Sequence, residues 1–180
     1  MSGEIKTECT YFSTSGEINT QQTLDLAKSR LADLQLKEIL VASTSGTTGA
    51  YAAELFREKL IVVTHSAGFL EPNLQMFDPE KRRLIEAHGG RILTCQHALG
   101  GVNRAIRYTF QTYQVDEIIA NTLRIFGQGV KVCMEMAIMA CDAGMVMSNR
   151  PVMCVAGTNS GADTAIVLIP ANAHRFFDLK

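Results

Sequence analysis

The sequence predicts an α/β fold: three layers, α/β/α, around a mixed, mostly parallel sheet with one antiparallel edge strand. Three observations carry the prediction. Apolar runs at residues 39–42, 60–63 and 92–95 have strand length and little polar alternation, the pattern of strands buried on both faces. Stretches of helical spacing separate them, which is the order a parallel sheet requires. The last two β-favouring runs, 152–156 and 165–169, are only about eight residues apart. A parallel crossover takes about a dozen, so these two pair antiparallel.

Taken in order, residues 9–12 offer a short first strand, and a turn-rich segment follows. Asn19 with Gln22 has the form of a capping box, and Leu24, Ala27, Leu31 and Leu34 place one apolar stripe on the helix that it opens. The 39–42 strand runs into a loop of small hydroxylated residues and glycines, then into a short helix carrying Ala50, Ala53 and Phe56. After the 60–63 strand comes an irregular segment, THSAGFLEPNLQMF. Asp78 before Pro79 signals the next helix start, and Gly89 and Gly90 its end. Beyond the third strand, Val102, Ile106, Phe110 and Tyr113 share a helix face. Two further helical stretches, 115–126 and 130–143, are divided by a break at Gly127 and Gly129.

A chain of 180 residues suits one domain, 1–180, with a sizeable core. The formal net charge of -1, with 19% charged and 47% hydrophobic residues, gives no electrostatic bias toward nucleic acid or an anionic membrane surface. No run approaches the roughly 20 apolar residues of a membrane span, and the start MSGEIKTECT lacks the apolar centre of a signal peptide, so the expected location is cytoplasmic. Five cysteines without a C-x-x-C pair read as reduced, mostly buried thiols, with no disulfide and no metal site. Homo-oligomerisation is a base-rate expectation.

Four loops can carry chemistry. The first holds Ser43, Thr44, Ser45, Gly46, Thr47 and Thr48 between a strand and a helix, where free N–H groups and the helix dipole favour an anion. It has neither the G-x-x-x-x-G-K-[ST] nor the G-x-G-x-x-G order. The second holds Thr64, His65, Gly68 and Phe69; the third spans 94–101 and holds His97. These three leave the carboxyl ends of successive strands, where open α/β sheets gather ligands. The fourth holds Gly157, Thr158, Gly161 and Asp163, and reads either as a second ligand loop or as a plain hairpin turn. His65 and His97 are the candidates for proton transfer, for ligand contact or for structural hydrogen bonding. Lys131 and Glu135, four apart on a helix, read as a surface pair.

The stretch VASTSGTTGAYAAELF followed by LIVVTH resembles the opening of the pyruvate kinase C-terminal domain, where strand, T-K-S-G-x-S loop and helix form an effector-phosphate pocket. Tyr11 and Phe12, Asn19 and Thr20, THSAGF, LRIFGQGVKVCMEMAIMACDAG, GTNSGADTA and the closing FFDL carry a nearer resemblance over almost the whole length. It is to the stand-alone pyruvate kinase C-terminal-like proteins found mainly in archaea and some bacteria. That resemblance implies a phosphorylated ligand in the first loop, flavin mononucleotide (FMN) first among them, with the second and fourth loops bordering its body. Thr44 and Thr47 stand where lysine and arginine often occur in the kinases, so the loop would hold phosphate by N–H groups and hydroxyls. The catalytic barrel of the kinase has no counterpart, so pyruvate kinase activity is not expected. Two alternatives accompany the FMN-binding reading: a flavin-dependent oxidoreductase, and a ligand-sensing or assembly module without chemistry. Replacing Gly46 with valine is expected to weaken the ligand while leaving the fold intact.

Overall fold

The computed structural model describes residues 7–180. In chain order it contains α1 (Thr20–Asp33), β1 (Ile39–Ala42), α2 (Thr47–Phe56), β2 (Leu60–Val63), α3 (Pro79–Ala87), β3 (Arg91–Leu93), α4 (Val102–Phe110), α5 (Val115–Leu123), α6 (Gln128–Asp142), β4 (Val152–Ala156) and β5 (Thr164–Leu168). The strands form one sheet in the order β3-β2-β1-β4-β5. Pairings β1 with β2, β1 with β4 and β2 with β3 are parallel, and β4 with β5 is antiparallel. The expected α/β class and antiparallel edge are therefore present.

Alternation along each strand divides the core in two. Ile39, Val41, Leu60, Val62, Met153 and Val155 point to one face and pack with Leu24, Ala27, Ala53, Phe56 and Ile85 of α1, α2 and α3. Leu40, Ile61, Val63, Cys154 and Ala156 point to the other face and meet Cys133, Met136, Ala137 and Ala140 of α6. Both faces are covered, which is why these strands read as unbroken apolar runs. Each fully buried aliphatic side chain contributes about 1.5 to 3 kcal/mol. Helix α2 lies close on the sheet because residue 49 is glycine: a Cβ there would sit 3.0 Å from Val62.

Several local expectations fare differently. Asp78 accepts from the Glu80 N–H at 2.8 Å with Pro79 in the first turn, and Gly89 adopts φ +82° after α3, as expected. Residues 9–12 form no strand: they pair with none of the sheet's strands among the described residues, and Tyr11 lies exposed. The capping box is also absent. Asn19 donates instead to the Thr14 carbonyl at 2.7 Å, holding the entry turn, and a short 3-10 turn, Glu17–Asn19, leads into α1. The face formed by Val102 and Phe110 points to solvent, and Tyr113 lies beyond α4, which Gln111 ends with φ +55°. The break between α5 and α6 is real, with Gly127 at φ +123°. Gly129 permits a close approach to the start of β5, since a Cβ would fall 2.2 Å from the Thr164 hydroxyl.

The connections β1 to β2 and β2 to β3 cross through α2 and α3 on one face, whereas α6 returns the chain to β4 on the other. Between β1 and β4 the loops consequently part in opposite directions, and ligands in open α/β sheets bind in the crevice this creates at the carboxyl ends. No helix among the described residues is long and apolar enough to cross a membrane.

Candidate functional site

A cleft of about 780 Å³ lies at that position. Its size falls within the few hundred to 1,000 Å³ usual for small-molecule sites. All four loops singled out in the sequence contribute to its wall, together with one face of α6.

The first loop is built around the start of α2. Gly46, immediately before the helix, has φ +93°, and its missing side chain lets Lys81 and Phe77 close in: a Cβ would stand 2.9 Å from the Lys81 Cβ and 3.0 Å from the Phe77 ring. Of the first helical N–H groups, that of Gly49 donates to Ser43 Oγ at 3.1 Å. The N–H groups of Gly46, Thr47 and Thr48 have no acceptor within the helix, by helix geometry. Ser45 and Thr47 share a hydroxyl contact of 3.1 Å, and Lys81 Nζ donates to Thr47 Oγ1 at 2.8 Å. Lys81 therefore brings a cation to a loop whose sequence carries none. Ser43, Thr44, Ser45, Thr47 and Thr48 line the cleft, and Gly46 supports it from behind. Backbone N–H groups, hydroxyls and an ammonium at a helix N-terminus make an anion site.

The second and third loops meet in a cluster of rings. His65 lies 4.3 Å from Phe69 and 5.1 Å from His97 between ring centroids, and Phe69 stacks on His97 at 5.2 Å with 20° between planes. Arg104 of α4 places its guanidinium over the Phe69 ring at 4.9 Å. Burial, reinforced by the Arg104 charge, holds His65 below the usual imidazole range, and burial does the same for His97. Both rings are therefore neutral near pH 7. His65 Nδ1, His97 Nε2 and Arg104 Nε are buried and have no hydrogen-bond partner among the described residues. Thr64 lines the cleft too, but its hydroxyl is engaged by the His65 carbonyl at 2.8 Å and by Thr94 at 2.9 Å. Gly68, at φ +78°, shapes the turn behind Phe69, with its N–H bonded to the Leu74 carbonyl at 2.9 Å.

In the fourth loop, Gly157 and Gly161 line the cleft, while Thr158 and Asp163 serve the loop itself. The Asp163 carboxylate accepts from the N–H groups of Gly16 at 2.8 Å and Thr158 at 3.1 Å, and from the Thr164 hydroxyl at 2.8 Å. Partial burial alone would raise its pKa; the bonds from Gly16, Thr164 and Thr158 outweigh that and hold it below the ordinary value. Asp163 thus fastens the loop to the N-terminal segment. Gly161 lets that segment approach, since a Cβ there would fall 2.3 Å from the Thr20 hydroxyl.

The floor holds what sequence reasoning misplaced. Lys131 and Glu135 are an ion pair inside the fold, with only 5% and 4% of their surfaces exposed. Glu135 Oε1 also accepts from the Leu99 N–H at 2.9 Å, tying α6 to the loop after β3. The surface reading rested on spacing alone. The signal against it was the apolar character of residues 130–141 on every side of the helix, which leaves no polar face to carry a surface pair. Val132, Met136 and Met139 complete an apolar strip beside the pair. Among the described residues no group of three or more His, Cys, Asp or Glu is arranged to hold a metal ion. All five cysteines are free; Cys133, Cys141 and Cys154 are buried, Cys95 is partly so and Cys9 is exposed.

No protein-family model matches the chain.

Proposed function

We propose that the protein binds a phosphorylated small molecule, with FMN the first candidate, across the carboxyl ends of β1, β2 and β4. The observation that carries this reading is the loop at the start of α2. There Ser45, Thr47 and Thr48 line the cleft with their hydroxyls beside three helix N–H groups that have no intrahelical acceptor, and Lys81 Nζ, from outside that lining, reaches Thr47 at 2.8 Å. A phosphate satisfies such a set by accepting from each member. The apolar strip of Val132, Met136 and Met139 and the rings of His65, Phe69 and His97 line the same cleft. That set of surfaces suits a ligand with a phosphate, a short body and a planar end. The resemblance to stand-alone pyruvate kinase C-terminal-like proteins supports the same ligand.

In this reading Ser45, Thr47, Thr48 and Lys81 hold the phosphate, and Ser43 preserves the loop by capping Gly49. Gly157 and Gly161, which line the cleft, border the body of the ligand. Bound flavin would supply two-electron redox chemistry, and the chain's own part is to bind and orient it and to surround it with neutral imidazoles. The test is equilibrium binding: purified protein titrated with FMN is expected to bind one equivalent, and inorganic phosphate is expected to compete. A protein that binds neither contradicts the proposal.

A further inference from the structure

In the wall of the same cleft, on the loops that follow β2 and β3 and on α4, three nitrogens share an unusual condition. Arg104 Nε, His65 Nδ1 and His97 Nε2 are buried and unpartnered among the described residues. Leaving a buried polar group without a partner is costly, so each such group in a folded protein calls for an explanation. The three belong to side chains in mutual contact through Phe69: His65 at 4.3 Å, His97 at 5.2 Å and Arg104 at 4.9 Å from that ring. All four residues line the same cleft. An arginine nitrogen donates only, and each neutral imidazole nitrogen either donates or accepts according to its tautomer. The Arg104 charge has no carboxylate within ion-pair distance among the described residues, while the Lys131 charge beneath is matched by Glu135. The cluster is therefore net positive and short of acceptors, with the near-parallel rings of Phe69 and His97, 20° apart, at its centre.

We propose that this cluster is a second recognition subsite, which takes a planar, acceptor-rich group at the end of the ligand distant from its phosphate. The inference rests on the phosphate-binding reading above and extends it to the other end of the same molecule. For a flavin, the matching part is the pyrimidine edge of the ring, which presents carbonyl oxygens and one N–H in a single plane. Arg104 donates to a carbonyl oxygen, His65 and His97 pair with the remaining edge, and Phe69 keeps the three side chains in register. The subsite discriminates for a conjugated carbonyl-bearing ring and against a phosphate that carries only a sugar.

Three probes separate the two ends: FMN, riboflavin, which lacks the phosphate, and ribose 5-phosphate, which lacks the ring. Two variants are compared with the unaltered protein, Arg104→Met and His97→Leu, and each is first checked for unchanged far-UV dichroism. Each is expected to weaken FMN and riboflavin by roughly tenfold or more and to leave ribose 5-phosphate unchanged. A Ser45→Ala/Thr47→Ala variant is expected to do the reverse, weakening FMN and ribose 5-phosphate while sparing riboflavin. If Arg104→Met and His97→Leu bind both flavins as the unaltered protein does, the subsite is overturned and the phosphate reading stands. Binding of ribose 5-phosphate with no binding of either flavin also overturns the subsite. Failure of all three probes overturns both readings.

Discussion

Lys131 Nζ and Glu135 Oε2 are joined in an ion pair one turn apart on α6, beneath the cleft and nearly closed to solvent. Breaking a buried pair by removing one partner strands the other charge and costs about 3 to 5 kcal/mol, whereas replacing both by apolar residues is often neutral. Lys131→Met is therefore expected to lower urea-unfolding stability by about that amount, and Lys131→Met with Glu135→Leu to recover most of it. A single variant as stable as the parent would show that the pair is solvated in solution.

Lys81 differs in kind, because its side chain is about one-third exposed and its neighbour Asp78 lies 3.9 Å away. A surface contact of this sort adds little to stability, about 0 to 1 kcal/mol. Its amine nevertheless bonds Thr47 in the loop that lines the cleft. Lys81→Met is expected to leave the unfolding midpoint nearly unchanged and to reduce phosphate-ligand affinity several-fold, with the difference shrinking as salt is added. An affinity equal to that of the parent at low salt would remove Lys81 from the site.

Gly46 sharpens a point on which sequence and structure part. From sequence alone, valine there should disturb only the ligand. The backbone has φ +93°, and the Lys81 and Phe77 side chains occupy the space a Cβ would take. Strain at such a backbone position costs about 1 to 3 kcal/mol, so Gly46→Val is expected to destabilise the fold itself. A thermal melt unchanged by the substitution would contradict the crowding.

The two imidazoles make stability depend on acid. Their native pKa values are lowered, chiefly by burial, while the unfolded value is about 6.5. Between the lowered native values and 6.5 the unfolded chain holds more protons, so stability falls as pH drops through that window and is unaffected above it. Urea midpoints measured downward from about pH 8 are expected to decline from about pH 6.5. The decline should be shallower in a His65→Gln/His97→Gln variant; parallel curves would show that the rings titrate normally.

Asp163 supplies the opposite sign. Its native pKa is lowered, so its contribution is present above the unfolded value of about 3.9 and is lost as pH falls through the native value. Asp163→Asn replaces one acceptor oxygen by a donor facing Gly16, Thr158 and Thr164. The expected cost near neutrality is about 1 to 2 kcal/mol, kept modest by partial solvent screening of the carboxylate, and is read as a shift in the urea midpoint. No shift would mean that the loop is held by other contacts.

Much of this arrangement was legible in the residues because the strands are buried on both faces. Runs such as Leu60–Val63 are unambiguous when no polar residue interrupts them, and the short link before Thr164 dictated the antiparallel edge. The loops at the strand ends followed from that order. What escaped lies between segments distant in sequence. Lys81 reaches Thr47 across 34 positions, and Arg104 comes to Phe69 from a helix whose apolar face turns to solvent rather than to the core. Residues 9–12 and the Asn19 box failed for a different reason: short local patterns yield to the contacts available, and Asn19 found the Thr14 carbonyl instead. Thr158 and Asp163 have the composition of a ligand loop, yet their polar atoms are used within it.

The measurement closest to the central claim is a fluorescence titration of FMN against the unaltered protein and the Ser45→Ala/Thr47→Ala variant, with unfolding midpoints recorded for both. Saturable binding of one FMN by the parent, a loss of roughly tenfold or more in the variant, and similar midpoints are expected. Equal affinity in the two proteins, or no binding by the parent, would contradict it.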